Sequence, residues 1–584
     1  MNQHHYRLWS PLAGGVELLL GADASTTVPM TRGADGWWTA EADPGDGRYA
    51  FRVDDGIAIP DPRSRRQPDG VHAPSALVDT SAFSWTDSGW RGVELEGAVV
   101  YELHVGTFSP EGTFDGIVEH LDHLRDLGVT VIELMPVAAF PGRHGWGYDG
   151  VAPYAVHEPY GGPEGLARLV DAAHAAGLAV WLDVVHNHLG PSGNYLSLAG
   201  PYFTDRRHTP WGQAVNLDGP LSDEVRAYLL DNVRMWLEDY HLDGLRLDAV
   251  HELHDDRAIH LLEEMAALAD EISGRTGVPR MLVAESDRND PATVTPRATG
   301  GAGGLGLHGQ WADDVHHALH TALTGESQGY YGDFAADPDA LVTVLGSSPF
   351  LHAGTYSSFR GRVHGRPVDP AVTPGWRYVA ALQTHDQVGN RAAGDRIGHG
   401  IPPGRQAAGA ALLLTSPWTP MLFMGEEWGA STPWQYFTDH EEEELATAIR
   451  EGRRREFASH GWSQEVPDPQ AESTVRASTL DWDEVRREPH ATMLDWYRTL
   501  LRLRRELPAL RGPLGEGEVR REPAGDGEVV TVRRGDVEVV VVLGDGRLER
   551  PAEGHLRASF GEVALGDGTL VVGPDSAAIL QVRP

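Results

Sequence analysis

The stretch that decides the fold runs from Tyr240 to His251 and reads "YHLDGLRLDAVH". Its leucines and valine mark a buried strand, yet Arg246 and Asp248 stand among them. Residues two apart in an extended chain point to the same face, so these two side chains meet. Desolvating an unpaired carboxylate is costly, and a purely structural strand should avoid one. A strand that keeps Asp248 is therefore expected to end in an opening, with the Arg246 guanidinium holding the acid ionised and aimed. A buried structural ion pair is the competing reading, and a single Arg–Asp pair does not exclude it.

Working outward, a helical pattern, "SDEVRAYLLDNVRMWLEDYH", runs into this stretch, and another, "DRAIHLLEEMAALADEIS", leads from it to the strand-like "RMLVAES". The same alternation precedes it: "AVVYELHVGTF", then the helix pattern "FDGIVEHLDHLRDLG", then "VTVIELMPV", "GPEGLARLVDAAHAAG" and "LAVWLDVVHNH". It continues through "RYVAALQTHDQ", "RQAAGAALLLTS" and "PMLFMGEEW", with a sixth strand placed at "LGLHGQW", around Gly306–Trp311. Strand and helix alternating this often predict a parallel sheet, and roughly eight strands predict a (β/α)₈ TIM barrel.

The ends differ in texture. Residues 1–92 are short alternating runs such as "GVELLLG", "GWWTAEA" and "GRYAFRVDD", which predict a small N-terminal β-sandwich behind a frayed "MNQHH". Residues 511–584 predict a C-terminal antiparallel β-domain, with "GEVVTVRRGDVEVVVVLGDG" as a hairpin and "GTLVVGPDSAAILQV" as a closing pair. The barrel is expected over 93–510, with a short insert at about 189–221. Three domains agree with the length prior for 584 residues.

Composition narrows the chemistry. Cysteine is absent, and all 48 basic residues are arginine. Disulfides, thiolate nucleophiles, lysine Schiff bases and a Walker-type lysine are excluded together. A net charge of −37 speaks against nucleic-acid or acidic-membrane partners and fits a neutral ligand, solubility or a high-salt habitat equally. The start "MNQHHYRLWSPLAGG" lacks the basic and apolar segments of a signal peptide, so a cytoplasmic monomer is the expectation.

In a barrel of this kind the active site lies at the C-terminal strand ends. Asp248 ends strand four, Glu285 ends strand five in "LVAES", and Asp386 ends strand seven in "LQTHDQ". Three carboxylates converging on one pocket suit glycoside chemistry, in which one attacks the anomeric carbon and another protonates the leaving oxygen. Glu285 has no basic neighbour in its strand and suits the acid, its proton held by repulsion from two ionised aspartates. Asp248, beside Arg246, suits the nucleophile, although swapped roles would not contradict the sequence.

The blocks "DVVHNH" (183–188), "GLRLDAVH" (244–251), "VAES" (283–286) and "THDQ" (384–387) resemble, in order, the four signature regions of the α-amylase family. The resemblance implies Asp248 as nucleophile, Glu285 as general acid/base and Asp386 as a stabilising carboxylate. It also implies His188, Arg246 and His385 as residues orienting the cleaved glucose, Tyr148 as its stacking platform, and Asp183 as structural support. His186 stands where Tyr is frequent in the first block. The intervening segments, among them "GPSGNYLSLAGPYFTD" and "GQWADDVHHALHTALTGE", are similar to the trehalose-releasing members. Those hydrolyse, with retention, the α-1,4 bond next to the terminal trehalose of a malto-oligosyltrehalose. A branching enzyme and a non-catalytic amylase-like barrel are the alternatives.

Trp146, Tyr148, Tyr202, Phe203, Trp211, Trp434 and Phe437 are expected in the βα loops, where aromatics suit sugar faces, although each of them except Tyr148 is more often a core residue than a platform. No cofactor is expected. No metal is expected either, although Asn187 sits where some relatives bind calcium and His316 and His320 stand four apart on a helix.

Overall fold

The computed structural model describes residues 3–297, 303–459 and 466–582. Eight parallel strands close into a barrel: β1 (Val100–Leu103), β2 (Val131–Leu134), β3 (Ala179–Val184), β4 (Gly244–Leu247), β5 (Met281–Ala284), β6 (Gly309–Trp311), β7 (Tyr378–Ala381) and β8 (Thr419–Phe423). They neighbour one another in chain order, and β8 closes onto β1. Every residue of these strands is buried, as expected of a parallel sheet covered by helices outside and packed side chains inside.

Crossover helices cover the outside. Among them are α1 (Gly162–Ala176), α2 (Ser222–Glu238) and α3 (Leu261–Thr276), which bury their leucine, valine and methionine stripes. Left-handed Gly177 and Gly277 end α1 and α3, a conformation an L side chain would resist. The helix pattern at 114–128 divides into two short pieces, Phe114–Val118 and Leu121–Leu127, and the sixth strand covers only the end of its predicted segment.

The opening stretch forms a strand of four residues with an aspartate beyond each end. Gly244 is required at its start, because a Cβ there would lie 2.6 Å from the Met281 carbonyl and 2.7 Å from the Trp181 ring. Asp243, fully buried at the lower end, accepts from Trp90 Nε1 (2.7 Å) and the Val180 amide (2.9 Å), with His174 Nε2 at 2.9 Å. Arg280 closes the cluster at 3.4 Å. Truncating one member of such a network strands the others, so Asp243→Ala is expected to destabilise the fold by about 3–5 kcal/mol. The measurement is a urea denaturation midpoint; an unchanged midpoint would contradict that role.

The N-terminal segment forms two antiparallel sheets. One contains His4–Trp9, Thr31–Arg32 and Trp37–Ala42, the other Val16–Leu20, Thr26–Pro29, Arg48–Val53, Ala58–Ile59 and Ser75–Ala76. His4 and His5 already belong to a strand, which corrects the frayed start; Met1 and Asn2 lie outside the described residues. At the C-terminus Gly527–Arg534 and Val537–Leu543 pair as the predicted hairpin. The closing pair is not a pair. Thr569–Val572 joins a separate sheet with Leu548–Pro551 and Val563–Gly566, while Ser576–Gln581 inserts between Val537–Leu543 and His555–Phe560. Its "SAAILQ", apolar from Ala577 to Leu580, buries both faces, whereas the preceding strand alternates.

Candidate active site

Asp248 follows β4 directly, Glu285 follows β5, and Asp386 lies in the short helix His385–Gly389 after β7. The barrel thus brings the predicted residues to one end. Arg246 is fully buried and organises them: Nη1 donates to Asp248 Oδ1 at 2.7 Å and to Asp183 Oδ2 at 2.8 Å, while Nη2 lies 3.5 Å from Glu285 Oε2. One planar guanidinium therefore reaches both proposed reacting carboxyls, geometry that a lysine ammonium would not supply. Its Cζ also lies 4.4 Å from the Trp311 ring centroid.

The second oxygen of Asp248 is held from the loop after β3. Asn187 Nδ2 donates to Asp248 Oδ2 at 2.9 Å and to its carbonyl at 2.8 Å. Asn187 Oδ1 faces His188 Nδ1 at 2.6 Å, so the amide is occupied on both sides. Ala249, just past Asp248, is held at φ 40° and donates its amide to Glu285 Oε2 at 2.5 Å. A left-handed non-glycine residue between two candidate reacting groups is strain kept by its surroundings, the kind that gathers at functional sites.

Tyr148 donates its hydroxyl to Asp183 Oδ2 at 2.6 Å and lies stacked with His385, ring centroids 5.1 Å apart. Asp386 is the open member of the set, its side chain 44 % exposed, with Asn390 Nδ2 at 3.2 Å.

These surroundings push the two principal carboxyls apart. Burial alone would raise Asp248, but the Arg246 charge, His188 and the Asn187 hydrogen bond outweigh it and hold the acid below its ordinary range. Glu285 is pushed up to about 8, first by burial and then by Asp248, Asp386 and Asp313 against the opposing Arg246. The like-charge cause expected from the sequence is present but secondary to desolvation. Glu285 also does have a cationic neighbour, reached across the sheet from β4 rather than along its own strand. Asp183 is raised to about 7 by burial, with Arg246 opposing.

Other residues of the site escaped the sequence reading. Asp313, in the first turn after β6, is pushed up to about 7 by burial and then by Asp386 and Asp314. Glu102 of β1 and Glu133 of β2 point into the barrel core. Each is a lone carboxylate within a four-residue apolar strand, "VYEL" and "VIEL", the same signal that singled out Asp248.

Four of the seven loop aromatics are core, the outcome expected more often than not for each of them. Trp146, Tyr202, Trp434 and Phe437 are buried, Tyr202 edge-on to Trp9 of the N-terminal sheet and Trp434 stacked on Trp146. Loops carrying this much apolar surface pack it against each other before offering it to a ligand. Tyr148 and Phe203 are half-buried, and Trp211 is 51 % exposed, stacked on His188 at 4.4 Å. His316 and His320 pack in the core, and His320 lies 3.0 Å from Glu326.

An eight-stranded parallel barrel with one carboxyl held low, one pushed up and a shared arginine between them at the C-terminal strand ends has the layout of a retaining glycoside hydrolase. The family description "Alpha amylase, catalytic domain" matches residues 69–206. The malto-oligosyltrehalose trehalohydrolase of Arthrobacter ramosus is 52 % identical over 584 residues, covering 99 % of each chain. That of Rhizobium sp. (strain M-11) is 54 % identical over 86 % of this chain and 85 % of its own. A 1,4-alpha-glucan branching enzyme of Jannaschia sp. is 30 % identical over 53 % of this chain and 50 % of its own. Among solved structures, a Salmonella typhimurium protein described as an alpha amylase superposes with a TM-score of 0.89 at 38 % identity, covering 99 % of this chain and 97 % of that one. The chain belongs to the malto-oligosyltrehalose trehalohydrolase family.

Proposed function

We propose that this chain hydrolyses the α-1,4-glucosidic bond next to the terminal trehalose of a malto-oligosyltrehalose, releasing trehalose and a maltooligosaccharide. Full-length similarity to relatives of that name supports the reading over the branching enzyme, whose similarity spans about half the chain. The observation that carries the mechanism is the split between the two carboxyls joined by Arg246, one held low and one pushed to about 8.

In the first step an Asp248 carboxylate oxygen attacks the anomeric carbon and the bond from that carbon to the trehalose oxygen breaks. Glu285 gives its proton to the departing oxygen, leaving a glycosyl ester on Asp248. Glu285, now a carboxylate, takes a proton from water, whose oxygen attacks the same carbon and frees Asp248. Two inversions give net retention. Asp386 grips the sugar hydroxyls, Arg246 keeps Asp248 ionised, and His188, His385 and Tyr148 orient the ring under attack. No step calls on a cofactor or a metal.

This assignment sets the pH profile. Asp248 must be ionised and Glu285 protonated in the free enzyme, so kcat/KM is expected to fall on the acid side only below the ordinary aspartate range. It is expected to fall again as pH rises through about 8. An alkaline limb near pH 5 would contradict Glu285 as the acid.

The reading takes the chain as three domains, 1–92, 93–510 and 511–584, acting as a cytoplasmic monomer on a neutral glucan with no nucleic-acid or membrane partner. The net charge of −37 supports the last point, and no helix among the described residues is long and apolar enough to cross a membrane. Light scattering tests the oligomeric state. The activity is tested by separating the products from maltopentaose and from maltotriosyl-trehalose. Trehalose and maltotriose from the second, with little attack on the first, is the expected result. Branched or disproportionated products would move the reading to a transferase.

A further inference from the structure

Glu102 and Glu133 take no part in the chemistry above. They face each other in register on β1 and β2 and are each 1 % exposed. Glu102 is turned onto His385: its Oε2 accepts the His385 backbone amide at 2.9 Å and its Oε1 lies 2.5 Å from ring Nδ1. On the far side of the ring, Nε2 lies 2.8 Å from the Tyr148 hydroxyl and 3.6 Å from Asp386 Oδ1. The Tyr148 proton is committed to Asp183, so its oxygen faces Nε2 as an acceptor. Both ring nitrogens thus face acceptors, and only the doubly protonated ring donates from both.

We propose that Glu102 is a positioning residue that holds His385 as an imidazolium, so that Nε2 presents a charged donor beside Tyr148 and Asp386 where the cleaved sugar sits. The inference rests on the reading of the site given above. The groups facing His385 are Glu102 from β1, His104 just after it, Glu133 from β2, Tyr148 from the following loop, Asp183 from β3, Arg246 from β4 and Asp386 from its own helix. Burial and Arg246 work against the cation; Glu102 and Asp386 outweigh them and raise the ring to about 9.

Glu133 completes the arrangement. Neither of its carboxyl oxygens has a hydrogen-bond partner among the described residues, and burial, then the Glu102 charge, push its proton affinity well up. A neutral Glu133 leaves one internal anion, Glu102, to face the one ring. Arg246 meanwhile answers Asp183 and Asp248 on the other wall.

The test compares kcat/KM on maltotriosyl-trehalose across pH for the full chain and Glu102→Gln. An amide presents a donor to one of the two His385 N–H groups. Activity at pH 7 is expected to fall by about 10- to 100-fold, the worth of a hydrogen bond to a charged group, mostly in kcat. The alkaline limb, set in the parent by Glu285 at about 8, is expected to move toward acid, because without the Glu102 charge burial and Arg246 make the ring lose its proton before Glu285 does. In a His385→Gln background the same change should have no further effect. An unmoved limb, or losses that add in the double variant, would overturn the proposal in favour of a structural role. Should Glu102→Gln fail to fold, histidine-labelled enzyme answers instead. The resonance missing from the His385→Gln spectrum is expected to titrate above pH 8, and titration below pH 7 overturns the proposal. A parent chain that leaves maltotriosyl-trehalose untouched would contradict the functional reading, and the resonance experiment would still judge Glu102.

Discussion

Asp248→Asn is expected to leave the fold intact and to lower kcat on maltotriosyl-trehalose by about four orders of magnitude or more, because it removes the covalent route altogether. The size follows from the neighbours as well as from the lost nucleophile. Arg246 Nη1 lies 2.7 Å from Asp248 Oδ1 and Asn187 Nδ2 lies 2.9 Å from Oδ2. Both are donors, so an amide in place of the carboxylate turns one of its ends against a donor and leaves Arg246 with a partner fewer. The Arg246 pair with Asp183 survives, and the strand below is unchanged, so the thermal midpoint should move little. Steady-state kinetics with a denaturation curve on the same preparation checks both halves. Turnover within tenfold of the parent would remove Asp248 from the mechanism.

Glu285→Gln is expected to lower kcat on the same substrate by about 10²- to 10⁴-fold, the usual contribution of a positioned acid–base group. The useful feature of this variant is its rescue. A malto-oligosyl fluoride has a leaving group that needs no proton, so the ester on Asp248 should still form; azide, a nucleophile that needs no base, should then release it as a glycosyl azide. Full loss on the fluoride as well would show that Glu285 does something other than transfer protons. The variant should also lose the limb near pH 8, since Glu285 no longer titrates, leaving the alkaline fall to the His385 ring at about 9.

Much of the fold was legible because its signals are local. The period of the apolar residues in "SDEVRAYLLDNVRMWLEDYH" and the apolar runs of "VTVIELMPV" and "RMLVAES" each report one element, and their alternation reports a parallel barrel. Asp248, Arg246 and Glu285 were legible because each stands in or at the end of a run that is otherwise apolar. What the sequence could not convey is register between strands. The contact of Arg246 with Glu285 crosses from β4 to β5, and the contact of Glu102 with His385 crosses 283 residues of chain. For a related reason the loop aromatics could not be sorted one by one into core and platform. Trp434 and Phe437 have the composition of sugar platforms, but whether an aromatic faces a ligand or its neighbours depends on the loop packed against it. The C-terminal closing pair failed likewise: Thr569–Val572 and Ser576–Gln581 are adjacent in the chain and belong to different sheets.

The central claim, a double displacement through Asp248 at the bond next to trehalose, is tested most directly by the anomer first formed. Maltotriosyl-trehalose would be mixed with enzyme in an NMR tube and the reducing end of the nascent maltotriose followed before mutarotation. The account predicts α-maltotriose first, drifting afterwards to the equilibrium mixture, with trehalose released in equal amount. β-Maltotriose first would mean direct attack by water, and Asp248 would not be the nucleophile.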